Sequence, residues 1–173
     1  EEDVLERFLI AADQVKAQNI VRICGDNPLI DRQLMRLLIH THLKENTDYT
    51  VTSDSIPLGT GTEIVKVSAL KKISSVTMQT KYREHVTTWF HDNPTLAVQS
   101  RVPAPVYLRN KSHRLTIDTR NDLTLMGKIF NEFYTLTSPL LDLQKVIQFL
   151  DTHPDIAQIN ANTPQKNWRS QSK

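Results

Sequence analysis

The sequence predicts one α/β domain, because amphipathic helices alternate with short apolar strands along its 173 residues. Apolar residues at three- and four-residue steps predict a first helix over residues 3–17. The mostly β-branched run 19–24 predicts a buried strand that ends at a Gly-Asp-Asn-Pro turn. A second helix, capped by Asp31, and a second strand over residues 49–53 complete a βαβ unit. We therefore expect a parallel sheet whose ligands bind beyond the C-terminal ends of its strands.

The rest of the chain continues this alternation. Residues 56–61 hold two of the four glycines and one proline, so an irregular loop is expected there. Pro103 and Pro105 restrict residues 97–106 to an edge strand or an extended arm. Thr119, with Asp122 three residues later, has the spacing of a capping box that begins a helix. The remaining predicted elements are strands over residues 62–67 and 115–117 and helices over residues 68–73, 81–91 and 141–150.

The composition argues against several functional classes. Lysine and arginine total 21 against 19 for aspartate and glutamate, and the net charge of +2 gives no field that would favour nucleic acid. No apolar run approaches the roughly 20 residues that a membrane helix requires. The single cysteine, Cys24, excludes an internal disulfide, and no targeting signal is visible. We therefore expect a cytoplasmic protein without a membrane or nucleic-acid partner.

The two ends of the chain suggest how the domain is bounded. The chain opens with Glu1 and enters helix-forming sequence at once, so we expect it to begin inside a longer protein. Residues 1–166 are expected to form the C-terminal part of one domain that is truncated at its N-terminus. Residues 167–173 are polar, and we expect them to form a loose tail.

Two aspartates stand where a predicted strand gives way to a turn or a helix. Asp26 follows Gly25, which lets a ligand approach the backbone closely, and Asp118 follows the predicted strand over residues 115–117. Carboxylates suit Mg²⁺, which binds one or two of them and completes its shell with waters and phosphates. Separately, Asp26 also fits a tight turn and Asp118 a helix start favoured by the dipole. Taken singly, each position is better explained by the turn or the helix start, and the two together support a metal site more than either does alone.

A third cluster places a cation, an anion and an imidazole on one predicted helical turn, at Arg83, Glu84 and His85. Such a set can recognise a carboxylated or polyhydroxylated substrate, although each residue alone is most often part of a solvated helix face. His85 has no second histidine four residues away and the chain has no cysteine pair, so a zinc site is not expected. The sequence also lacks serine hydrolase, P-loop and dinucleotide-binding motifs.

The motifs, taken in order, resemble cytidylyltransferases of the spore coat polysaccharide biosynthesis type. That group is similar to 3-deoxy-manno-octulosonate and acylneuraminate cytidylyltransferases, which make CMP-activated sugars. The resemblance implies a Rossmann-like nucleotide-diphospho-sugar transferase sandwich with a mixed, mostly parallel sheet. It also implies a reaction that joins CTP to a sugar or sugar acid and releases pyrophosphate. The matching segments are Asp3-Val-Leu-Glu-Arg-Phe, Val21-Arg-Ile-Cys-Gly-Asp-Asn-Pro-Leu-Ile-Asp31, Arg83-Glu-His-Val-Thr87, Leu115-Thr-Ile-Asp-Thr119, Ile159-Asn-Ala-Asn162 and Gln165-Lys166.

The resemblance also implies roles for individual residues. The resemblance implies a catalytic Mg²⁺ held by Asp26 and Asp118. The metal would neutralise the negative charge of the phosphate during attack on the α-phosphorus. The residues implied to contact the nucleotide are Arg22, Gly25 and Asp26. Those implied to bind the substrate are Arg83, Glu84 and His85 for a sugar acid and Glu63 for a sugar hydroxyl.

The chain departs from this family at its beginning. The family opens with a strand and a loop of glycine, serine, arginine and lysine that binds the CTP phosphates, and nothing here matches it. We therefore expect no turnover by this chain alone, and an exposed sheet edge that favours self-association. A homodimer is expected, with residues 97–107 as the exchanged contact. The alternatives are a non-catalytic interaction or regulatory domain that retains the fold, and a nucleotidyltransferase that uses another base or sugar phosphate.

Overall fold

The fold is a four-stranded sheet with helices on both faces, in a computed structural model that describes residues 3–165. The strands are β1 (Asn19–Arg22), β2 (Tyr49–Thr52), β3 (Glu63–Lys66) and β4 (Gln99–Val102). The helices are α1 (Val4–Gln14), α2 (Arg32–Glu45), α3 (Val67–Val76), α4 (Thr80–Glu84), α5 (Thr88–Asp92), a 3₁₀ helix (Val106–Leu108), α6 (Arg120–Phe133), α7 (Leu143–Thr152) and α8 (Pro154–Ala161). Within these residues no helix is both long and apolar enough to cross a membrane.

The sheet is mixed, as the resemblance implied. Its strand order is β1-β3-β2-β4, and β3 pairs antiparallel with both β1 and β2. The β2–β4 pair is parallel, so that Thr50 faces Ser100. It follows that β1, β2 and β4 run in one direction and β3 alone runs in the other. Strands β1 and β2 of the predicted βαβ unit run in the same direction, as expected. They do not pair with each other, because β3 lies between them.

The core consists of two apolar clusters, one on each face of the sheet. Ile64 and Val65 are neighbours on β3, and because successive side chains of a strand point to opposite faces, each enters a different cluster. The Ile64 cluster includes side chains from α2, α6 and α7, and the Val65 cluster includes side chains from α1, α3 and α5. Tyr49 is fully buried in the second cluster and stacks on Phe90 at a ring-centroid distance of 4.7 Å. The two layers hold the strand ends, and with them the loops, in fixed positions.

Two predicted elements differ in the structure, and one helix was not predicted. The helix expected over residues 81–91 is two short helices, because the chain turns at His85 and Thr87 donates its side-chain hydroxyl to Glu63. The strand expected over residues 115–117 does not form. Its backbone pairs instead with loops, through the amides of Leu115 to Leu58 and of Ile117 to Asp26. Helix α8 begins at Pro154 in a stretch that the sequence analysis left without an element.

Several local predictions are confirmed. Asp31 caps α2 by accepting the Leu34 amide at 2.6 Å, and Thr119 and Asp122 form the capping box of α6. The proline-rich segment supplies β4, which lies at one edge of the sheet. The polar tail expected over residues 167–173 lies outside the described residues.

Candidate active site

A cleft of about 530 Å³ lies where the loops after β1 and before β3 meet the turn between α4 and α5. It brings together five of the residues that the sequence analysis selected, which are Arg22, Asp26, Glu63, His85 and Asp118. A larger cavity, of about 640 Å³, lies beside α2 and the 3₁₀ helix and contains none of the selected residues. The smaller cleft is therefore the candidate active site.

The two aspartates reach the cleft on loops that are hydrogen-bonded to each other. The amide of Ile117 donates to the carbonyl of Asp26 at 2.9 Å, and the hydroxyl of Thr116 donates to the same carbonyl at 3.4 Å. The Asn27 amide donates to the Cys24 carbonyl at 3.1 Å, so the expected tight turn is real. That turn exposes the Asp26 side chain to the cleft, where no residue of the described range pairs with it. The turn and the functional interpretation of Asp26 are thus compatible.

The donor set of the cleft fits Mg²⁺ better than a transition metal. Among residues 3–165, no group of three or more histidine, cysteine, aspartate or glutamate side chains could hold a metal ion. Mg²⁺ needs only one or two carboxylates, because it retains waters and binds substrate phosphates. Asp26 and Asp118 both line the cleft, and each carries a carboxylate of this kind.

Asp118 is held by a buried arginine. Arg114 is 8% exposed, and its Nη2 lies 2.5 Å from Oδ2 of Asp118. The same guanidinium contacts the buried Asp122, with Nε 2.8 Å from Oδ1 and Nη2 3.2 Å from Oδ2. Burial alone would raise the pKa of Asp122, but hydrogen bonds from Arg114, Asn160 and its own capping box hold that pKa well below the ordinary value. Asp122 therefore stays ionised and anchors Arg114.

Glu63, which also lines the cleft, is the centre of a second network. Its carboxylate accepts from Nη1 of Arg22 at 2.6 Å, from the Thr87 hydroxyl at 2.8 Å and from the Tyr49 hydroxyl. His91 lies nearby, with Nε2 3.8 Å from Oε1 of Glu63. Burial would raise the pKa of Glu63, but the hydrogen bonds and the Arg22 charge lower it to about 2. Glu63 is thus a fixed anion that holds the Arg22 guanidinium in the cleft.

The selected residues Arg83, Glu84 and Gly25 do not line the cleft. Arg83 forms ion pairs with Asp3 and Glu6 and joins α4 to α1. Glu84 is exposed on α4, one residue before His85 turns into the cleft. Gly25 is exposed in the turn beside Asp26, and a Cβ there would meet no atom within 4 Å. Of the Arg-Glu-His segment, the structure therefore brings only His85 to the site.

The cleft also contains residues that the sequence analysis did not select. Thr62 has a buried hydroxyl that finds no hydrogen-bond partner within the described residues. Single threonines and histidines carry no spacing pattern that would select them. The glycines of residues 56–61 predicted an irregular loop, but not its position in the cleft. The unselected residues that line the cleft include Thr62, Thr87, His91 and Gln165. Arg114, also unselected, contacts Gln165.

Comparisons with known proteins identify the family. A family model described as cytidylyltransferase matches residues 1–160. An uncharacterized protein of Methanocaldococcus jannaschii is 37% identical over 169 residues, covering 98% of this chain and 68% of that protein. The spore coat polysaccharide biosynthesis protein SpsF of Bacillus subtilis is 33% identical over 158 residues, covering 91% of this chain and 65% of SpsF. The chain thus spans about two thirds of the length of these relatives.

A solved structure gives the same answer for the fold. A cytidylyltransferase from Leptospira borgpetersenii serovar Hardjo-bovis superimposes with a TM-score of 0.82 at 25% identity, covering 96% of this chain and 68% of that one. The Rossmann-like sandwich with a mixed sheet is therefore confirmed. From the matched family model, the two relatives and this structure, we conclude that the chain belongs to the cytidylyltransferase family.

Proposed function

We propose that the cleft serves the transfer of CMP from CTP to a sugar or sugar acid, with release of pyrophosphate. The observation that carries this proposal is the pair of aspartates on hydrogen-bonded loops. Asp26 and Asp118 both line one cleft, and the Ile117 amide links their backbones. Arg22 and His85 add a cation and an imidazole on the same cleft. Family membership, and the name of SpsF as a spore coat polysaccharide biosynthesis protein, support the same reaction class.

The reaction needs an in-line displacement at the α-phosphorus of CTP. A sugar hydroxyl oxygen forms the new bond to phosphorus, and the bond from that phosphorus to the bridging oxygen breaks, so that pyrophosphate leaves with the electron pair. The hydroxyl proton passes to the solvent or to the departing pyrophosphate. Mg²⁺, when bound, would neutralise the phosphate charge, and Asp26 and Asp118 are the residues that would hold it. Arg22, fixed by Glu63, would orient the nucleotide phosphates.

The sugar is proposed to occupy the side of the cleft that Glu63, Thr87 and His85 line. Three donors already occupy the Glu63 carboxylate, but a carboxylate has about four acceptor positions, so one sugar hydroxyl can still donate to it. Of the residues selected to bind a sugar acid, His85 is the one that lines the cleft, because Arg83 pairs with Asp3 outside it. The product would supply a surface polysaccharide or a glycan, and a CTP-dependent enzyme of this type would work in the cytoplasm.

The homodimer remains part of the proposal. Strand β4 forms a sheet edge, and apolar side chains around it are exposed, at 58% for Leu96, 60% for Val98 and 78% for Val106. Exposed apolar side chains beside a sheet edge are suited to pairing with a second copy. Sedimentation at micromolar concentration tests this, and a monomer there would contradict it.

Pyrophosphate release tests the proposed reaction. The assay combines CTP, Mg²⁺ and a panel of neutral sugars and sugar acids with this chain. A second sample adds the residues encoded upstream of Glu1, where the gene contains them, and a third carries Asp26→Asn in that longer protein. We expect release that depends on CTP and Mg²⁺ in the longer protein, no turnover by the chain alone, and loss with Asp26→Asn. Absence of release and of CTP binding in all samples would instead support a non-catalytic interaction domain.

A further inference from the structure

The Arg114 side chain contacts both the Asp118 carboxylate and Asp122 at the start of α6. We infer that Arg114 is a positioning residue, which fixes one oxygen of Asp118 so that the other faces the cleft. Asn160 and Gln165, from the C-terminal part of the chain, hold Arg114 in place. The inference rests on the proposed function, in which Asp118 binds a divalent cation. Arg114 itself touches neither the metal nor the substrate in this account.

The contacts of the guanidinium require its planar fork. Nε and Nη2 both reach Asp122, Nη2 also reaches Oδ2 of Asp118, and Nη1 contacts the Gln165 side-chain oxygen. These contacts leave in different directions from one plane, which the compact ammonium group of lysine cannot reproduce. Among the described residues, the side-chain hydrogen bond and the ion pair of Asp118 both involve Oδ2 and not Oδ1. One carboxylate oxygen is therefore restrained while the second is available as a ligand.

The charges are balanced so that Asp118 remains an effective ligand. Asp122 takes two of the arginine's hydrogen bonds and lies fully buried, so the buried charge of Arg114 is compensated mainly there. Oδ2 of Asp122 also accepts the backbone amides of Asp118 at 3.0 Å and of Thr119 at 2.9 Å. Asp122 thus fixes the Asp118 main chain while Arg114 fixes its side chain. Groups that orient a metal ligand in this way act on metal affinity without touching the metal.

The C-terminal part of the chain completes the arrangement. Asn160 is a buried residue of α8. Its side-chain nitrogen, Nδ2, donates to the Arg114 carbonyl at 3.0 Å and to Oδ1 of Asp122 at 2.8 Å. Gln165 then contacts the guanidinium directly from beyond the end of α8. Helix α8 supplies no side chain to the cleft within the described residues. Its contribution to the site is therefore the placement of Arg114.

Mn²⁺ binding to the full chain tests this inference without any need for turnover. Mn²⁺ accepts the same oxygen ligands as Mg²⁺ and is visible by electron paramagnetic resonance, so its dissociation constant can be titrated with and without CTP. Asp118→Asn should abolish most of the binding, and Arg114→Lys should weaken it by about tenfold or more. Arg109→Lys is the matched control, because Arg109 also holds a carbonyl and an aspartate but lies outside the cleft. It should bind Mn²⁺ like the wild type.

A second variant decides the question if Arg114→Lys does not fold. Gln165→Ala removes one exposed contact to the guanidinium and should weaken Mn²⁺ binding by about threefold. A merely structural role for Arg114 would lower the melting temperature and leave the Mn²⁺ affinity of the folded protein unchanged. Unchanged affinity in the folded Arg114→Lys variant, or in Gln165→Ala if that variant alone folds, overturns the positioning role. Absence of Mn²⁺ binding by the wild type overturns the positioning role and the proposed metal site together.

Discussion

Gly59 lies directly against the backbone of Leu115, so that a Cβ at this glycine would come within 2.5 Å of the Leu115 carbonyl carbon. The glycine has a φ of +91°, a conformation that other residues adopt only with strain. The neighbouring Leu58 carbonyl accepts the Leu115 amide at 2.7 Å. The glycine-rich loop is thereby fixed to the segment that leads to Asp118, and residues of both segments line the cleft.

Replacing Gly59 by alanine should therefore damage both stability and the cleft. The new methyl group would meet backbone atoms that cannot move aside, and the positive φ adds strain, so we expect a loss of about 3 kcal/mol in the free energy of unfolding. Urea denaturation measures it. Gly127→Ala is the control, since Gly127 is exposed in α6 and a Cβ there meets nothing within 4 Å. Alanine at that helical position should stabilise by about 1 kcal/mol, and a similar effect at both glycines would refute the close approach.

Glu63 should make the protein sensitive to acid. Its pKa is lowered from an ordinary 4.5 to about 2, so between these pH values the unfolded chain binds a proton that the native protein does not. The stability that Glu63 contributes is therefore complete above pH 4.5 and is lost as the pH falls toward 2. Between pH 4.5 and 2 the free energy of unfolding should fall by about 3 kcal/mol from this group.

Glu63→Gln, which cannot titrate, should lack that part of the pH dependence. Urea denaturation at a series of pH values measures the slope for each protein. Glu84→Gln is the matched control, because the Glu84 side chain is exposed outside the cleft, and it should keep the wild-type slope. If wild type and Glu63→Gln lose stability equally between pH 4.5 and 2, the network around Glu63 does not exist in solution.

His42 should produce a separate dependence nearer neutral pH. It is buried, with Nδ1 3.0 Å from the Thr50 hydroxyl and Nε2 3.0 Å from the Asn19 side-chain oxygen. Burial, together with the nearby Lys66 charge, lowers the pKa of His42 below its ordinary 6.5. Its neutral form thus stabilises the fold fully above pH 6.5, and this contribution declines as the pH falls below that value.

His42→Gln should be less stable at pH 7.5 and should lose less stability between pH 7.5 and 5.5 than the wild type. Thermal unfolding followed by circular dichroism gives both quantities. His40→Gln, on the same helix but exposed, should behave as the wild type does. Equal pH dependence in His42→Gln and the wild type would mean that His42 is not buried in its neutral form.

Local patterns were sufficient to predict much of the site. A strand followed by glycine and aspartate identified Asp26, and the Thr119–Asp122 spacing located the start of α6 beside Asp118. These predictions succeed because turns and helix caps depend on residues that are close in sequence. The same reasoning located the four strands that form, and most helices, to within a few residues.

Contacts between distant residues could not be predicted in this way. The pairing of β3 between β1 and β2 depends on which strands meet in the folded sheet. Arg83 appeared available for substrate, but its partner Asp3 lies 80 residues away in the sequence. Arg114 directly precedes the recognised segment Leu115-Thr-Ile-Asp-Thr119 but was not selected, because its contacts depend on Asn160 and Gln165 at the other end of the domain. Each of these outcomes is set by tertiary packing, which periodicity and spacing do not report.

The central claim, that Asp26 helps to bind CTP through a divalent cation, is tested most directly by the dissociation constant for CTP. Isothermal titration with and without Mg²⁺ gives this constant for the wild type, for Asp26→Asn and for Asp13→Asn, whose aspartate is exposed on α1. We predict that Mg²⁺ strengthens CTP binding to the wild type and to Asp13→Asn, and that Asp26→Asn loses about tenfold or more of that gain. A Mg²⁺-dependent affinity that is the same in Asp26→Asn and in the wild type would contradict the account.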